Sequence, residues 1–239
     1  MLKKIKQIIS KEQFNPSLLG LLVNPFYFAR KGLYKNISEL SVYAKGELLD
    51  VGCGQKPYEK LFKVKKYIGL EINKQNKKAD LYYDGKTFPC NDNSFDIVIS
   101  NEVLEHVFEP EMFLKEIHRV LKDDGYFLLT VPFVWDEHEQ PNDFGRYTSF
   151  GLKHILKKNS FEIIEFRKSV NDITVIFQLL NDYIYKKVIG KNYWLNQLKI
   201  LFLMAPFNIL GFILNFMLPK NDDLYLDNIV LARKKNYAV

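Results

Sequence analysis

The sequence of 239 residues predicts an α/β fold with parallel strands, and two observations carry that prediction. An apolar segment, Leu48–Val51, runs into a turn with two glycines, Gly52 and Gly54, and a second apolar segment, Tyr67–Ile72, carries the acid Glu71 near its end. Glycine lacks a Cβ, so the backbone can turn tightly and approach a ligand closely. A carboxylate at the tip of the next strand is placed to bind both hydroxyls of a ribose. The pattern indicates a nucleoside-binding crevice at the carboxyl ends of parallel strands.

The residues after the glycine turn limit the kind of nucleoside. A dinucleotide site uses G-x-G-x-x-G, in which the third glycine allows close packing of a helix whose N-terminus holds the pyrophosphate. Here Gly52-Cys53-Gly54 is followed by Gln55–Tyr58, so the third glycine is missing and a bulky Pro-Tyr pair takes its region. The ligand is therefore expected to lack a pyrophosphate. Two glycines in a purely structural turn are the alternative, and Glu71 argues against it.

The next elements follow in α/β order. Asp80–Gly85 predicts a third strand that ends on an acid, and Phe95–Asn101 predicts a short buried strand. Tyr126–Pro132 predicts a fifth strand. Between the fourth and fifth strands, apolar residues at helical spacing predict a helix that Asp123–Gly125 stops. Those apolar residues are Phe113, Ile117, Val120 and Leu121.

These motifs in this order, over residues 46–135, resemble the class I S-adenosylmethionine-dependent methyltransferases, whose first motif is an acid followed by G-x-G. The resemblance implies a Rossmann-like α/β fold with a seven-stranded, mostly parallel sheet and an antiparallel last strand. Phe161–Phe166 then reads as the sixth strand and Asp227–Lys234 as the seventh. It also implies S-adenosyl-L-methionine as the cofactor, a ligand without phosphate.

The resemblance implies which residues surround the cofactor. Asp50, the glycine turn and Asn101 are expected at the methionine end. Glu71 is expected to hold the ribose, and Asp84 with the backbone near Gly85 is expected at the adenine edge. The complete set of cofactor-binding candidates is Asp50, Gly52, Cys53, Gly54, Glu71, Ile72, Asp84, Gly85, Asn101 and His106.

The loop after the fifth strand, residues 132–148, carries the more specific chemistry. It lies at the carboxyl edge of the sheet, where open α/β folds bind ligands, and it concentrates acids, a histidine, an arginine and aromatic residues. Its pattern His-Glu-x-Pro-x-Asp-Phe-x-Arg-Tyr-Thr resembles a subgroup of methyltransferases of bacterial surface-polysaccharide biosynthesis. Trp135 is suited to stack against a sugar or to cover the cofactor.

A sugar acceptor sets the roles expected of this loop. A hydroxyl is a poor nucleophile until its proton is accepted, which requires a base near neutrality. His138 is the first choice, with Glu137 or Glu139 holding its tautomer. Arg146 is suited to anchor an acceptor carboxylate or phosphate bidentately, and Tyr147 to stack on a sugar. The catalytic candidates are His138, Glu137, Arg146 and Tyr147, with His106 as a second candidate base.

Two structural alternatives stay open for the same loop. Asp143 and Arg146 are also expected to form a salt bridge that pins the loop, with Ser149 capping the next helix. A magnesium site built from Asp136, His138 and Asp143 is a further alternative, because some sugar methyltransferases use magnesium. The favoured expectation is that no metal is bound.

Composition limits the partners and the compartment. Two isolated cysteines, Cys53 and Cys90, have no spacing partner for zinc and favour a reducing compartment. The start of the sequence lacks the apolar core and cleavage site of a secretory signal, so a cytoplasmic location is expected. The net charge is +6, but the lysines are spread along the chain, and Asn101–Leu104 departs from the Asn/Asp-Pro-Pro-aromatic motif of enzymes that methylate base amines. Nucleic acid is therefore not an expected partner.

An apolar insert separates the sixth and seventh strands. We expect four segments: an N-terminal helical cap (1–45), the methyltransferase core (46–169), the insert (170–224) and the last strand (225–239). Residues 200–218 are long and apolar enough for a membrane span, but a single span would leave the seventh strand across the membrane from its sheet. Pro206 and Gly211 favour a break into two shorter helices. The insert is expected to be a lid that also touches membrane, with a packed cap, a membrane-dipping hairpin or a dimer contact as alternatives.

The expected function is S-adenosylmethionine-dependent O-methylation of a sugar hydroxyl, in a surface glycan or in its lipid-linked or nucleotide-linked precursor. The protein is expected in the cytoplasm, with a peripheral place on the inner face of the membrane as an option. One alternative is a methyltransferase for a quinone or another lipid, and a second is a non-catalytic S-adenosylmethionine-binding domain. The sequence leaves the oligomeric state open.

Replacing Glu71 with Ala tests the predicted ribose site. We expect the affinity for S-adenosylmethionine to fall by at least about tenfold, since a hydrogen bond to a charged group is lost. The measurement is direct titration of the purified protein with the cofactor. Unchanged affinity would mean that the ribose binds elsewhere.

Overall fold

The chain forms two compact units in the computed structural model, which describes residues 2–235. One unit combines the residues up to Lys35 with Lys168–Leu226, and the other combines Asn36–Arg167 with the residues from Asp227 onward. The N-terminal segment and the insert between the last two strands therefore belong to one unit, which we call the helical unit. The second, the sheet unit, carries the nucleoside motif.

A single seven-stranded sheet forms the sheet unit and confirms the predicted fold class. Its order is β3-β2-β1-β4-β5-β7-β6, with β1 to β5 pairing in parallel and β7 antiparallel to β5. The strands are β1 (Glu47–Val51), β2 (Lys66–Glu71), β3 (Leu81–Tyr82), β4 (Phe95–Asn101), β5 (Leu121–Pro132), β6 (Phe161–Ser169) and β7 (Asp227–Lys234).

The register of the central strands brings three chain segments to one edge. β1 and β4 are buried almost throughout, as expected of parallel strands that are covered on both faces. Val51 pairs with Ser100, and Asn101 pairs with Thr130. Because these residues stand near the ends of their strands, the turn after β1 and the residues after β4 and β5 follow at the same edge.

The helices number eight among the described residues. They are α1 (Leu2–Phe14), α2 (Gly20–Val23), α3 (Tyr27–Leu40), α4 (Pro110–Val120), α5 (Ser149–Lys158), α6 (Thr174–Val188), α7 (Tyr193–Lys199) and α8 (Ala205–Leu214). Short 3₁₀ turns cover Ser41–Tyr43, Glu59–Leu61 and Leu104–His106.

Several element boundaries differ from the sequence predictions. The third strand is only Leu81–Tyr82, the fifth begins at Leu121 and the sixth extends to Ser169. The helix before the fifth strand ends at Val120 rather than at Asp123–Gly125, because Leu121 already pairs with Phe95 and so begins β5. α5 is capped by Thr148 and not by Ser149. The Thr148 backbone is extended, and its hydroxyl accepts a hydrogen bond from the Gly151 N–H at 3.1 Å.

Within the apolar insert, Tyr193–Leu214 is one continuous helical segment, so the predicted break at Pro206 and Gly211 was wrong. A π-helical turn, Ile200–Met204, joins α7 to α8 and places Pro206 in the first turn of α8, where proline is tolerated. A Cβ at Gly211 would lie 2.9 Å from the Phe177 ring, so glycine here permits close packing on α6. By length and composition alone, this is the one segment of residues 2–235 that matches a membrane span.

Buried amides tie the N-terminal helices to the insert within the helical unit. The Asn208 side chain donates to the carbonyls of Leu21 and Asn24, both at 3.0 Å. The Gln178 side chain accepts from the Phe28 N–H at 3.1 Å and donates to the Pro25 carbonyl at 3.1 Å. Each amide satisfies backbone groups at the ends of α2 and α3 that no helix bond reaches. The unit is therefore held by specific polar contacts as well as by apolar packing.

Candidate active site

Glycine is needed at the two positions of the turn after β1 for different structural reasons. Gly52 has φ 72°, and a Cβ there would lie 2.4 Å from a methyl group of Val103. Gly54 has φ 48°, and a Cβ there would meet no atom within 4 Å. The N–H groups of Gly52 and Cys53 both donate to the Leu70 carbonyl. The turn is thus fixed to β2 on one side and to the segment after β4 on the other, and it faces open space at Gly54.

Glu71 stands at the end of β2 beside this turn. Its carboxylate accepts from the Gly54 N–H at 3.2 Å and from the Ile72 N–H at 2.9 Å. A carboxylate has about four acceptor positions, so capacity remains for two ribose hydroxyls. The Asn76 side chain donates to the Gly54 carbonyl at 2.6 Å. Sequence reasoning missed Asn76, because nothing in its local pattern points back to the turn.

Asp50, the acid that precedes the glycines, is buried. The Tyr67 hydroxyl donates to its carboxylate at 2.6 Å. Burial raises the pKa of Asp50 to about 7, although this hydrogen bond opposes the shift. Burial, together with the charge of Asp50, raises the pKa of Cys53 to about 12, so its thiol stays protonated at neutral pH.

An ion pair that the sequence analysis missed holds the chain directly after the glycine turn. Lys56 has φ 54°, and its ammonium donates to Asp80 at 2.5 Å. Asp80 also accepts from the Gly69 N–H at 2.7 Å. The pair fixes the chain after the turn to β2 and to the start of β3.

The remaining cofactor candidates lie on the same edge. Asp84 is exposed, and its carboxylate accepts from the N–H groups of Lys86 and Thr87, which lower its pKa. Gly85 beside it has φ 88°. The Asn101 side chain accepts from the Thr130 hydroxyl at 2.8 Å, so β5 holds its orientation.

The segment after β4 contains a strained residue, Glu102, and a buried acid, Glu105. Glu102 has φ 53°, a conformation that side chains rarely adopt and that concentrates at functional sites. Glu105 follows in the 3₁₀ turn with 0% exposure, and neither of its carboxylate oxygens accepts a hydrogen bond from any residue between 2 and 235. Burial, followed by the charge of Glu102, raises the pKa of Glu105 well above its usual range. Sequence reasoning missed Glu105; the available signal was an acid set between Leu104 and His106 directly after a buried strand.

His106 is oriented by the loop after β5. Its Nδ1 lies 2.7 Å from the Asn142 carbonyl oxygen. A carbonyl only accepts, so Nδ1 carries the proton and the neutral ring keeps its lone pair on Nε2. That Nε2 is 3.7 Å from a Glu105 oxygen and 4.0 Å from a Glu139 oxygen.

His138 packs edge-on against His106, with the ring centroids 4.8 Å apart. Its Nδ1 lies 3.2 Å from the Asp136 carbonyl oxygen and 3.4 Å from an Asp143 carboxylate oxygen. Asp143 therefore takes the position expected of Glu137 or Glu139. The reason is local, because Asp143 also accepts from the His138 N–H at 2.9 Å.

Arg146 is occupied by its own loop. Two of its nitrogens donate to the two Asp143 oxygens at 2.6 and 2.7 Å, and it also donates to the carbonyls of Trp135 and Asp136. The structure thus has the salt bridge that the sequence analysis left as the alternative to an acceptor anchor. Arg146 holds the pKa of Asp143 at about 2. Tyr147 is half-buried, and burial raises the pKa of its hydroxyl.

Comparisons with known proteins agree with the fold. The methyltransferase domain family matches residues 49–129. Uncharacterized protein MJ0638 of Methanocaldococcus jannaschii is 30% identical over 210 residues, which are 81% of this chain and 89% of that protein. MJ1123 of the same organism is 31% identical over 120 residues, 44% of this chain and 58% of its own length. "Probable S-adenosylmethionine-dependent methyltransferase" of Mycolicibacterium smegmatis is 26% identical over 158 residues, 61% of this chain and 59% of that protein.

Solved structures share the architecture at low identity. Phosphoethanolamine N-methyltransferase 2 of Haemonchus contortus, in complex with S-adenosyl-L-methionine, superposes with a TM-score of 0.57 at 16% identity, over 91% of this chain and 56% of that one. The (4+2)-cyclase SpnF superposes with a TM-score of 0.56 at 18% identity, over 85% and 82%. At these identities the likeness shows the fold alone.

The strand order, the glycine turn with Glu71 beside it and the domain match together define a Rossmann-like methyltransferase. The chain belongs to the class I S-adenosylmethionine-dependent methyltransferase family.

The residues present fit the family's cofactor. The Gly54 side of the turn is open, the Glu71 carboxylate retains acceptor capacity, and the missing third glycine suits a ligand without pyrophosphate. S-adenosylmethionine supplies a methyl group already activated on a sulfonium. What the chain must add is a place for the acceptor.

The Asp143–Arg146 pair predicts a pH dependence of stability. The Asp143 side chain is 4% exposed. Because its pKa is lowered to about 2, its contribution is present above the ordinary pKa and is lost as the pH falls from about 4 to about 2. We expect Asp143→Asn to lower the free energy of unfolding by roughly 1–2 kcal/mol at pH 7. This difference should shrink toward pH 2 in denaturant titrations.

Glu111→Gln is the matched control for that measurement. It removes a carboxylate of similar separation from its cation, Lys158 at 2.7 Å, but both side chains are largely exposed. Such a pair is screened by water and contributes little. An equal loss of stability in both variants would contradict the assignment to the Asp143 environment.

Proposed function

We propose that the protein is an O-methyltransferase that acts on a hydroxyl of a polar acceptor, most simply a sugar of a surface glycan or of its lipid-linked or nucleotide-linked precursor. The observation that carries the proposal is the pair of imidazoles, His106 and His138, at the edge where β4 and β5 end. Val103, three residues before His106, contacts the glycine turn of the nucleoside motif. His106 is therefore only three residues from a side chain that contacts the glycine turn.

Both rings are held in an orientation that suits a general base. Each Nδ1 faces a carbonyl oxygen, of Asn142 for His106 and of Asp136 for His138. At His138 the Asp136 carbonyl and the Asp143 carboxylate favour the proton on Nδ1 over the opposing Arg146 Nη2 donor at 3.4 Å. In each neutral ring Nε2 then carries the lone pair that accepts a proton from an acceptor hydroxyl. Proton acceptance by a positioned base contributes about 10²–10⁴ to the rate. The Asp143 carboxylate stabilises the imidazolium that forms at His138.

The loop contributes position as well as chemistry. Transfer from a sulfonium depends chiefly on aligning the acceptor with the methyl group, which lowers the barrier by several kcal/mol. Arg146 ties Trp135, Asp136 and Asp143 into one rigid loop, so its charge positions His138 and does not meet the acceptor directly. The net charge of +6 favours acceptors that carry phosphate or diphosphate.

A methyltransferase for a lipid acceptor is the second candidate, and the surface of the helical unit favours it. In the segment from Tyr193 onward, Phe202 is 70% exposed and Phe216 is 76% exposed. Contiguous exposed apolar surface marks sites for lipid or protein. A phenol or carbon acceptor needs less help from a base, so the histidines distinguish the two candidates.

Methyl-labelled S-adenosylmethionine tests the acceptor class. The purified protein is incubated with label and with a cell lysate that is then divided into polymer, aqueous small-molecule and lipid-extractable fractions. We expect label in a glycan, a glycolipid or a sugar nucleotide, and a loss of about 10²-fold or more in the rate for His138→Ala.

His154→Ala serves as the control, because His154 is exposed on α5. It should label the same products at the unmodified rate. Label confined to a lipid without sugar, with His138→Ala still active, would overturn the sugar proposal and favour the lipid acceptor.

We also propose a cytoplasmic protein that binds the inner face of the membrane through the helical unit. Lysines of α1 are exposed, and Lys6 lies 4.8 Å from the centre of the Tyr193 ring at the start of α7. A basic helix thus adjoins the exposed apolar segment within one unit. Positive charge beside apolar and aromatic side chains suits the surface of an anionic membrane.

Sedimentation with vesicles tests this location. We expect binding to phosphatidylglycerol vesicles, weaker binding to neutral vesicles, and a drop of roughly tenfold for Phe202→Ser or Phe216→Ser, because each removes apolar area from the interface. Phe150→Ser is the control, since Phe150 is 83% exposed but lies in the sheet unit. Equal binding by all three variants would exclude the helical unit as the contact surface.

A further inference from the structure

We propose that Glu105, His106 and His138 form a binding site for a divalent transition-metal ion of the zinc type. One donor atom of each residue lies within 4.8 Å of the other two. Two imidazoles and one carboxylate are a common protein ligand set for zinc and for iron(II), with further positions left for water or substrate. The inference concerns the binding of the ion and does not depend on the identity of the acceptor. Nε2 of His106 and of His138 cannot hold the ion and accept a proton at the same time, so the role of base proposed above belongs to the protein without the ion.

The donor distances are those of a set that closes on an ion by small side-chain movements. Donors about 2.1 Å from a tetrahedral ion stand about 3.4 Å from one another. His106 Nε2 is already 3.7 Å from a Glu105 oxygen. The two imidazole rings are nearly perpendicular, with an interplanar angle of 79° and centroids 4.8 Å apart.

The outer contacts of the two histidines are those that metal ligands require. A ligating imidazole almost always donates its other N–H to a carbonyl or carboxylate, which fixes the tautomer. His106 Nδ1 meets the Asn142 carbonyl oxygen at 2.7 Å. His138 Nδ1 meets the Asp136 carbonyl oxygen at 3.2 Å and the Asp143 carboxylate at 3.4 Å. His106 thus presents Nε2 with a free lone pair. His138 does so in the tautomer that its two acceptor oxygens favour over the Arg146 Nη2 donor at 3.4 Å.

The burial of the Glu105 carboxylate supports a bound ion independently of the donor distances. Glu105 is wholly buried, and within the described part of the chain neither oxygen has a hydrogen-bond donor. A buried polar group without a partner costs about 1–3 kcal/mol, and a charged one costs more. The Arg146 charge acts on Glu105 only through space, since no hydrogen bond from residues 2–235 reaches either carboxylate oxygen. The two imidazoles are neutral when Nε2 is free. A bound cation would compensate the charge of this carboxylate, which no hydrogen-bond donor of the described residues reaches.

This set differs from the magnesium site considered from the sequence. Asp143 gives both carboxylate oxygens to Arg146, so it is not available as a ligand. The cluster that remains is rich in nitrogen, and imidazole ligands suit zinc, iron and cobalt better than magnesium. The expectation of no metal is revised accordingly.

Metal titration of chelator-treated protein tests the site without using activity. With Co²⁺ as the probe, we expect one equivalent to bind with visible absorption bands of a low-coordinate ion, and Zn²⁺ to displace it. Zn²⁺ should also raise the melting temperature by mass action. Glu105→Gln and His138→Ala should each weaken binding at least about tenfold.

The matched controls are His154→Ala and Cys90→Ser, which remove potential ligands outside the cluster and should bind the ion as the unmodified protein does. Circular dichroism establishes that each variant is folded. If Glu105→Gln does not fold, His138→Ala decides, because His138 lies in a loop. Two results would overturn the proposal: no saturable Co²⁺ or Zn²⁺ binding at micromolar concentration, or binding that His138→Ala leaves unchanged.

Discussion

The parallel pairing of β1 with β4 and of β4 with β5 is the constraint on which the site depends. It places the carboxyl ends of three strands at one edge, although their residues are far apart in sequence. The contact of Gly52 with Val103 then fixes the distance between the glycine turn and the segment that carries Glu105 and His106. A side chain at Gly52 would need the space that Val103 fills. The glycine turn and the segment that carries Glu105 and His106 are therefore adjusted to one another through the packing of Gly52 against the Val103 side chain.

The sequence was sufficient for the strands and for the nucleoside motif because both depend on local patterns. Phe95–Asn101 and Asp227–Lys234 have the predicted bounds, since runs of apolar residues between polar turns define buried strands. Strand boundaries that depend on pairing with another strand were harder to predict from the sequence. Leu121 looks helical in sequence, but its pairing with Phe95 assigns it to β5.

The contacts of Glu105, His106 and His138 could not be predicted from the sequence for a different reason. His106 and the carbonyl oxygen of Asn142 are separated by 36 residues, and a backbone acceptor has no signature in the amino-acid sequence. The burial of Glu105 likewise follows from the segments that cover it. Among the acids of the loop, sequence alone does not show which one faces His138, because Glu137, Glu139 and Asp143 are all within a few residues of it.

The π-helical turn Ile200–Met204 has a consequence for how the insert can change length. A residue added to or removed from a helix rotates everything after it by about 100°. Such a rotation would carry Asn208 away from the Leu21 and Asn24 carbonyls and would turn Gly211 away from Phe177. The π-helical turn is the exception, because it holds one residue more than an α-helical turn, and removal of one residue there could restore α-helical winding without rotating α8. Within the α-helical turns between Met204 and Asn208, the residue count is as strictly set as the register of a strand.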